Sequence, residues 1–131
     1  MQFRPVVIIG CYDQQRTDHG TADPIFSIND TVRWWNVLDR RNHGHAANNV
    51  RVFAVPGMNH WAGGPATDQF DSLAAVVNWV ENGAAPTRIS ATAGPMSPFP
   101  GRSRPLCAYP KIARYQNGDP EREASYICAA R

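Results

Sequence analysis

Val50-Arg51-Val52-Phe53-Ala54-Val55-Pro56-Gly57-Met58-Asn59-His60 opens as an apolar, β-branched run and ends in a loop that carries a histidine. Six residues of that character predict a buried strand. Pro56-Gly57 stops it, because proline removes a backbone donor and glycine admits a tight turn. The loop continues through Gly63-Gly64 to Pro65. Beyond it Phe70, Leu73, Ala74, Val77 and Val80 recur at helical spacing, which predicts an amphipathic helix from about Ala66 to Asn82, closed by Gly83.

The same order occurs upstream. Val6-Val7-Ile8-Ile9 predicts a short buried strand, and Cys11 to Asp18 reads as polar and irregular. Ser27-Ile28-Asn29-Asp30 has the form of a capping box with Asp30 in place of the usual Glu. Ile28, Val32 and Trp35, with Trp34 and Leu38 alongside, then continue a helix to about Arg41; the two tryptophans read as packing residues. The pattern β-loop-α-β-loop-α predicts an α/β fold, with parallel strands and helices packed on the sheet. Two strands cannot satisfy such a sheet and leave an open apolar edge. From Ala84 to Pro110 the prolines and glycines are dense enough to forbid a long helix, so residues 84–131 read as an extended, loop-rich tail.

The chain has 131 residues, 43% of them hydrophobic and 18% charged, with a net charge of +2. These values fit one globular domain that buries roughly 70% of its unfolded surface. The small net charge and scattered basic residues give no support to a nucleic-acid partner, and no apolar run approaches the ~20 residues of a membrane span. No signal-like cleavage pattern is visible in the first ten residues. Of the three cysteines, Cys107 and Cys128 are the natural pair and Cys11 is left over; on spacing alone, a disulfide and two buried thiols are both open.

His60 is the candidate base, lying past a strand's carboxyl end in a glycine-bearing loop, where α/β folds hold their working groups. Asp23, after His19-Gly20-Thr21-Ala22 and before Pro24, is the candidate carboxylate to orient it. Singly each has a plain explanation, since Asp-Pro is a common turn and a loop histidine is commonly solvated. Together they follow the chain order of a Ser, Asp, His machine. Its nucleophile is not found: no Gly-x-Ser-x-Gly stretch occurs, and Gly101-Arg102-Ser103-Arg104-Pro105 has proline where the elbow needs glycine. His43-Gly44-His45 lacks the spacing and companions of a zinc site, and no nucleotide-binding glycine pattern is present, so neither metal nor cofactor is expected.

Ala22-Asp23-Pro24-Ile25-Phe26-Ser27, Val55-Pro56-Gly57-Met58-Asn59-His60 and Gly63-Gly64-Pro65-Ala66-Thr67-Asp68-Gln69-Phe70-Asp71 resemble the C-terminal part of the tannase/feruloyl esterase family. So do Trp79-Val80-Glu81-Asn82-Gly83, Arg104-Pro105-Leu106-Cys107 and Ala124-Ser125-Tyr126-Ile127-Cys128, a match running from about His19 to Cys128. The resemblance implies the C-terminal portion of an α/β-hydrolase fold and a serine esterase acting on aromatic esters, including terephthalate half-esters. It also implies export to the periplasm or medium, Asp23 as acid, His60 as base, and a Cys107–Cys128 disulfide.

Three departures stand out. Trp61 replaces a cysteine that many relatives have after the histidine. Residues 1–18 look atypical, with Cys11 to Asp18 where the family's strand runs directly into the His-Gly. The upstream nucleophile, oxyanion donors and lid are absent from the sequence. The expectation is therefore a truncated or frame-shifted copy, inactive alone, that needs an N-terminal half. The alternative is a non-catalytic interaction module that self-associates through the exposed sheet edge.

Overall fold

The strand from Val50 to Val55 forms where its apolar run predicts, and its side chains alternate between two cores. The computed structural model describes residues 8–9 and 15–130, and the element order there is β1 (Ile8–Ile9), β2 (Gln15–Gly20), α1 (Ile28–Arg41), β3 (Val50–Val55), α2 (Ser72–Asn82), β4 (Arg88–Thr92), β5 (Ser103–Cys107), β6 (Ile112–Tyr115) and β7 (Tyr126–Ala129). Val50 and Val52 of β3 pack with Trp35 of α1 and Ala46, joined by Trp34, Leu38 and Tyr109. Phe53 and Val55 face the other way, into a cluster with Met58, Ala66, Ile89, Ala91 and Leu106. Both tryptophans of α1 are therefore packing residues. Trp79 of α2 is buried too and lies beneath the Arg51 guanidinium.

The sheet differs from the two-stranded expectation. Its order is β1-β2-β3, with β2 parallel to β3 (Thr17 opposite Val52, His19 opposite Ala54) and β1 antiparallel to β2. Residues 15–18, read as irregular, are strand, and β2 runs across the expected boundary between Asp18 and His19. Gln15-Arg16-Thr17-Asp18 has no apolar alternation. Backbone pairing with β3, which does not depend on side-chain polarity, imposes the strand. The strand that enters His19-Gly20 is thus in place. Val6, Val7 and residues 10–14 lie outside the described residues. On the outer side of β3, Ala108 bridges Phe53, and the Tyr109 amide donates to the Val52 carbonyl at 2.8 Å, so this edge is partly covered.

Ser27 caps α1, accepting from the Asn29 amide at 3.2 Å, but among the described residues Asp30 does not complete the expected box and lies 3.8 Å from Arg33 instead. The second helix starts later than periodicity suggests. Gln69 pairs with Thr92 through two backbone hydrogen bonds, which holds the preceding segment extended. Asp71 then caps α2 by accepting from the Ala74 amide at 2.8 Å. Phe70 packs on the core from outside the helix.

The tail is more regular than its proline content suggests. β4 and β5 pair antiparallel, as do β6 and β7. Ile89 and Ala91 turn inward while Arg88 and Ser90 face out. A disulfide joins Cys107 at the end of β5 to Cys128 in β7, with a Cα–Cα distance of 5.6 Å and a sequence separation of 21. Closing a loop of that length stabilises by about 3 kcal/mol in the chain-entropy model. Replacing both cysteines by alanine should lower unfolding stability by about 2–4 kcal/mol in urea titration, with the loss matched by reductant on the unmodified chain.

Candidate acid–base site

Asp23 and His60 sit on the loops that leave the carboxyl ends of β2 and β3, two neighbouring parallel strands. The loops are tied backbone to backbone: the Thr21 amide donates to the Val55 carbonyl and the Ala22 amide to the Met58 carbonyl, each at 3.0 Å. The Gly57 amide adds a bond to the Thr21 hydroxyl oxygen at 2.9 Å. Gly20 makes this approach possible. A Cβ there would lie 2.1 Å from the Asn59 carbonyl oxygen and 2.2 Å from that of Met58, inside any permitted contact. Gly64 serves the other side of the base loop, with φ of +82° and a Cβ position only 2.3 Å from the Gly57 carbonyl oxygen. Asp68 secures that loop by accepting from the Gly63 amide at 2.8 Å.

The result is a direct contact: His60 Nδ1 lies 2.8 Å from Asp23 Oδ2. Asp23's other oxygen accepts from the Ile25 and Phe26 amides at 2.7 and 3.1 Å, and its side chain is only 3% exposed. Burial alone pushes this carboxyl up, but the His60 hydrogen bond and the two amides outweigh it and hold the pKa down at about 2. An ionised carboxylate only accepts, so Nδ1 of His60 carries the hydrogen and the neutral ring presents a lone pair at Nε2. Nε2 has no hydrogen-bond partner among the described residues. Such an imidazole can take a proton from a hydroxyl, with the adjacent carboxylate offsetting the cation that forms. The His60 ring neighbours those of Phe26 and Trp61, with centroids 5.4 and 5.1 Å away, and Trp61 is 79% exposed.

The structure thus brings Asp23 and His60 together and bonds Cys107 to Cys128. His43 and His45 lie in the turns that close α1, His43 with φ of +54°. Among the described residues no group of three or more His, Cys, Asp or Glu side chains is gathered as a metal site. No helix among them is long and apolar enough to cross a membrane. Sequence reading missed His19, Phe26 and Trp61 as neighbours of the pair. The available signal was positional, since His19 precedes Asp23 by four residues and Trp61 adjoins His60.

A carboxylate and an imidazole paired on the loops after two adjacent parallel strands is the arrangement that hydrolases of the α/β class carry. The family model described as tannase and feruloyl esterase matches residues 17–129, and this chain belongs to that family. It is 50% identical over 115 residues to mono(2-hydroxyethyl) terephthalate hydrolase of Piscinibacter sakaiensis, covering 86% of this chain and 19% of that protein. It is 33% identical over 119 residues to a probable feruloyl esterase of Arthroderma benhamiae, covering 85% of this chain and 22% of that protein. A crystal structure of an esterase from Aspergillus oryzae superposes with a TM-score of 0.76 at 23% identity, over 87% of this chain and 27% of that one, which shows the shared fold. The chain spans about a fifth of the length of the curated relatives it matches.

Gly20→Ala should force the loops apart, lowering stability by about 1–3 kcal/mol in chemical denaturation. In the same variant the Asp23 carboxyl pKa, followed by 13C NMR, should rise from about 2 toward its ordinary 3.8. Because the folded value is depressed, Asp23's contribution to stability is complete above 3.8 and is lost as pH falls through about 2. An Asp23→Asn variant should lack that acid-dependent component.

Proposed function

We propose that this chain supplies the acid and base of a serine carboxylic ester hydrolase acting on aromatic acid esters. The observation that carries the reading is the 2.8 Å contact from His60 Nδ1 to a buried Asp23 carboxylate, with Nε2 left open. In the working site Nε2 takes the proton of a serine hydroxyl as the oxygen attacks the ester carbonyl. The imidazolium then returns the proton to the leaving alcohol. Water, activated by the same ring, releases the acid from the acyl-enzyme, while Asp23 keeps Nδ1 protonated throughout. The names of the relatives support aromatic acyl groups, and the exposed Phe26 and Trp61 rings beside His60 suit them. The disulfide supports an oxidising compartment, periplasmic or extracellular.

No Gly-x-Ser-x-Gly stretch occurs among the 131 residues, and on this reading the isolated chain is inactive. A second polypeptide segment bearing the serine would complete it. One observation favours a non-catalytic, self-associating module instead: Leu73 and Val77, one turn apart on α2, are 68% and 41% exposed.

Two assays test the catalytic reading, and the second separates it from the non-catalytic one. The isolated chain should not hydrolyse methyl ferulate or methyl gallate. Residues 17–129, grafted onto the matching segment of the 50%-identical Piscinibacter sakaiensis hydrolase, should give an active enzyme. In that chimera His60→Ala should lower kcat by about 10⁴-fold or more, with Asp23→Asn following closely. A folded chimera indifferent to both substitutions would refute the acid–base assignment.

A further inference from the structure

The Asp23 carboxylate has a third neighbour besides His60 and its own loop amides. His19, at the end of β2 and 12% exposed, brings Nε2 to 3.4 Å from Oδ2, the oxygen that His60 engages. The same Nε2 lies 3.1 Å from the Phe26 carbonyl oxygen, and Nδ1 lies 2.7 Å from the Thr31 hydroxyl oxygen. A carbonyl oxygen only accepts, so Nε2 carries a hydrogen and donates it to Phe26, with Asp23 Oδ2 alongside at 3.4 Å. The neutral ring then accepts the Thr31 hydroxyl at Nδ1. Thr31 is itself buried in the first turn of α1. A polar chain therefore runs from α1 through Thr31, His19 and Asp23 to His60.

The acid loop needs such a brace. Ala22, Pro24, Ile25 and Phe26 are all exposed, so the loop gains little support from packing. Its shape rests on Asp23's hydrogen bonds to its own amides, the Ala22–Met58 bond, and whatever holds the Phe26 carbonyl. His19 is the side chain that joins that carbonyl to the helix.

We propose that His19 is a positioning residue for the acid–base pair: by tying the Phe26 carbonyl to Thr31 and holding its ring against Asp23 Oδ2, it keeps the carboxylate turned toward His60. This rests on reading Asp23 and His60 as acid and base. Removing His19 frees the loop end and takes away the ring that lies against Oδ2, so the carboxylate can rotate without leaving the fold. The role is one of orientation; His19 has no place among the reacting atoms.

The test uses the full chain and the low-field proton NMR signal of His60 Nδ1–H, which reports the hydrogen bond to Asp23 directly and needs no esterase activity. Glutamine places an amide nitrogen near the position of histidine Nε2, and asparagine near that of Nδ1. His19→Gln should keep the signal, with proton exchange within about twofold of the unmodified chain. His19→Asn and His19→Ala should move it upfield and speed exchange by roughly tenfold. Thr31→Val, which like His19→Gln cuts the anchor to α1 and keeps the donor to Phe26, should behave as the glutamine variant does. If His19→Ala does not fold, the glutamine–asparagine comparison still decides. Equal signals in the Gln and Asn variants, whether both retained or both lost, would overturn the positioning role. Absence of the signal from the unmodified chain would instead overturn the acid–base reading itself.

Discussion

The structure depends on one close approach, between the backbone at Gly20 and the carbonyls of Met58 and Asn59. Parallel strands bring their carboxyl ends to the same side of a sheet, but that alone leaves their loops several ångströms apart. Here a residue without a side chain lets one loop settle onto the other. The Thr21–Val55, Ala22–Met58 and Gly57–Thr21 hydrogen bonds then close the gap. Everything chemical in the molecule follows from that contact, because the carboxylate and the imidazole each stand within three residues of it.

Burial and hydrogen bonding act in opposite directions on Asp23, and the balance decides what the pair can do. A buried carboxylate without partners would tend to hold its proton and serve poorly as an acceptor. Two loop amides and the imidazole reverse this, so the group stays ionised in a nearly closed setting. The cost of building that setting is carried by rigid neighbours. β3 buries side chains on both faces, α1 covers one face, and the β4–β5 hairpin covers the other. The disulfide ties the hairpin's β5 to β7.

Much of this was legible in the chain itself. The β3 run, the Ser27 cap, the end of α2 at Gly83 and the packing of Trp34 and Trp35 all follow from local chemistry that tertiary structure reinforces. Asp23 and His60 were visible because each follows a glycine- or proline-marked turn in the right order. What stayed hidden has a common cause. β2 is polar and is made a strand by its partner; the start of α2 is set by a bridge between Gln69 and Thr92, 23 positions apart in sequence; and β4 to β7 pair across turns whose prolines mask the alternation of Ile89 and Ala91. His19 was likewise invisible as a neighbour of Asp23, since only the loop's path folds it back onto that side chain.

The protonation pattern of His60 tests the central claim most directly. Free neutral imidazole side chains in water favour the hydrogen on Nε2, whereas a carboxylate held against Nδ1 forces it there. Nitrogen-15 NMR of the labelled chain at neutral pH distinguishes the two forms. The account predicts that neutral His60 carries its proton on Nδ1 and that the preference disappears in Asp23→Asn; a neutral ring protonated on Nε2, unchanged by that substitution, would contradict it.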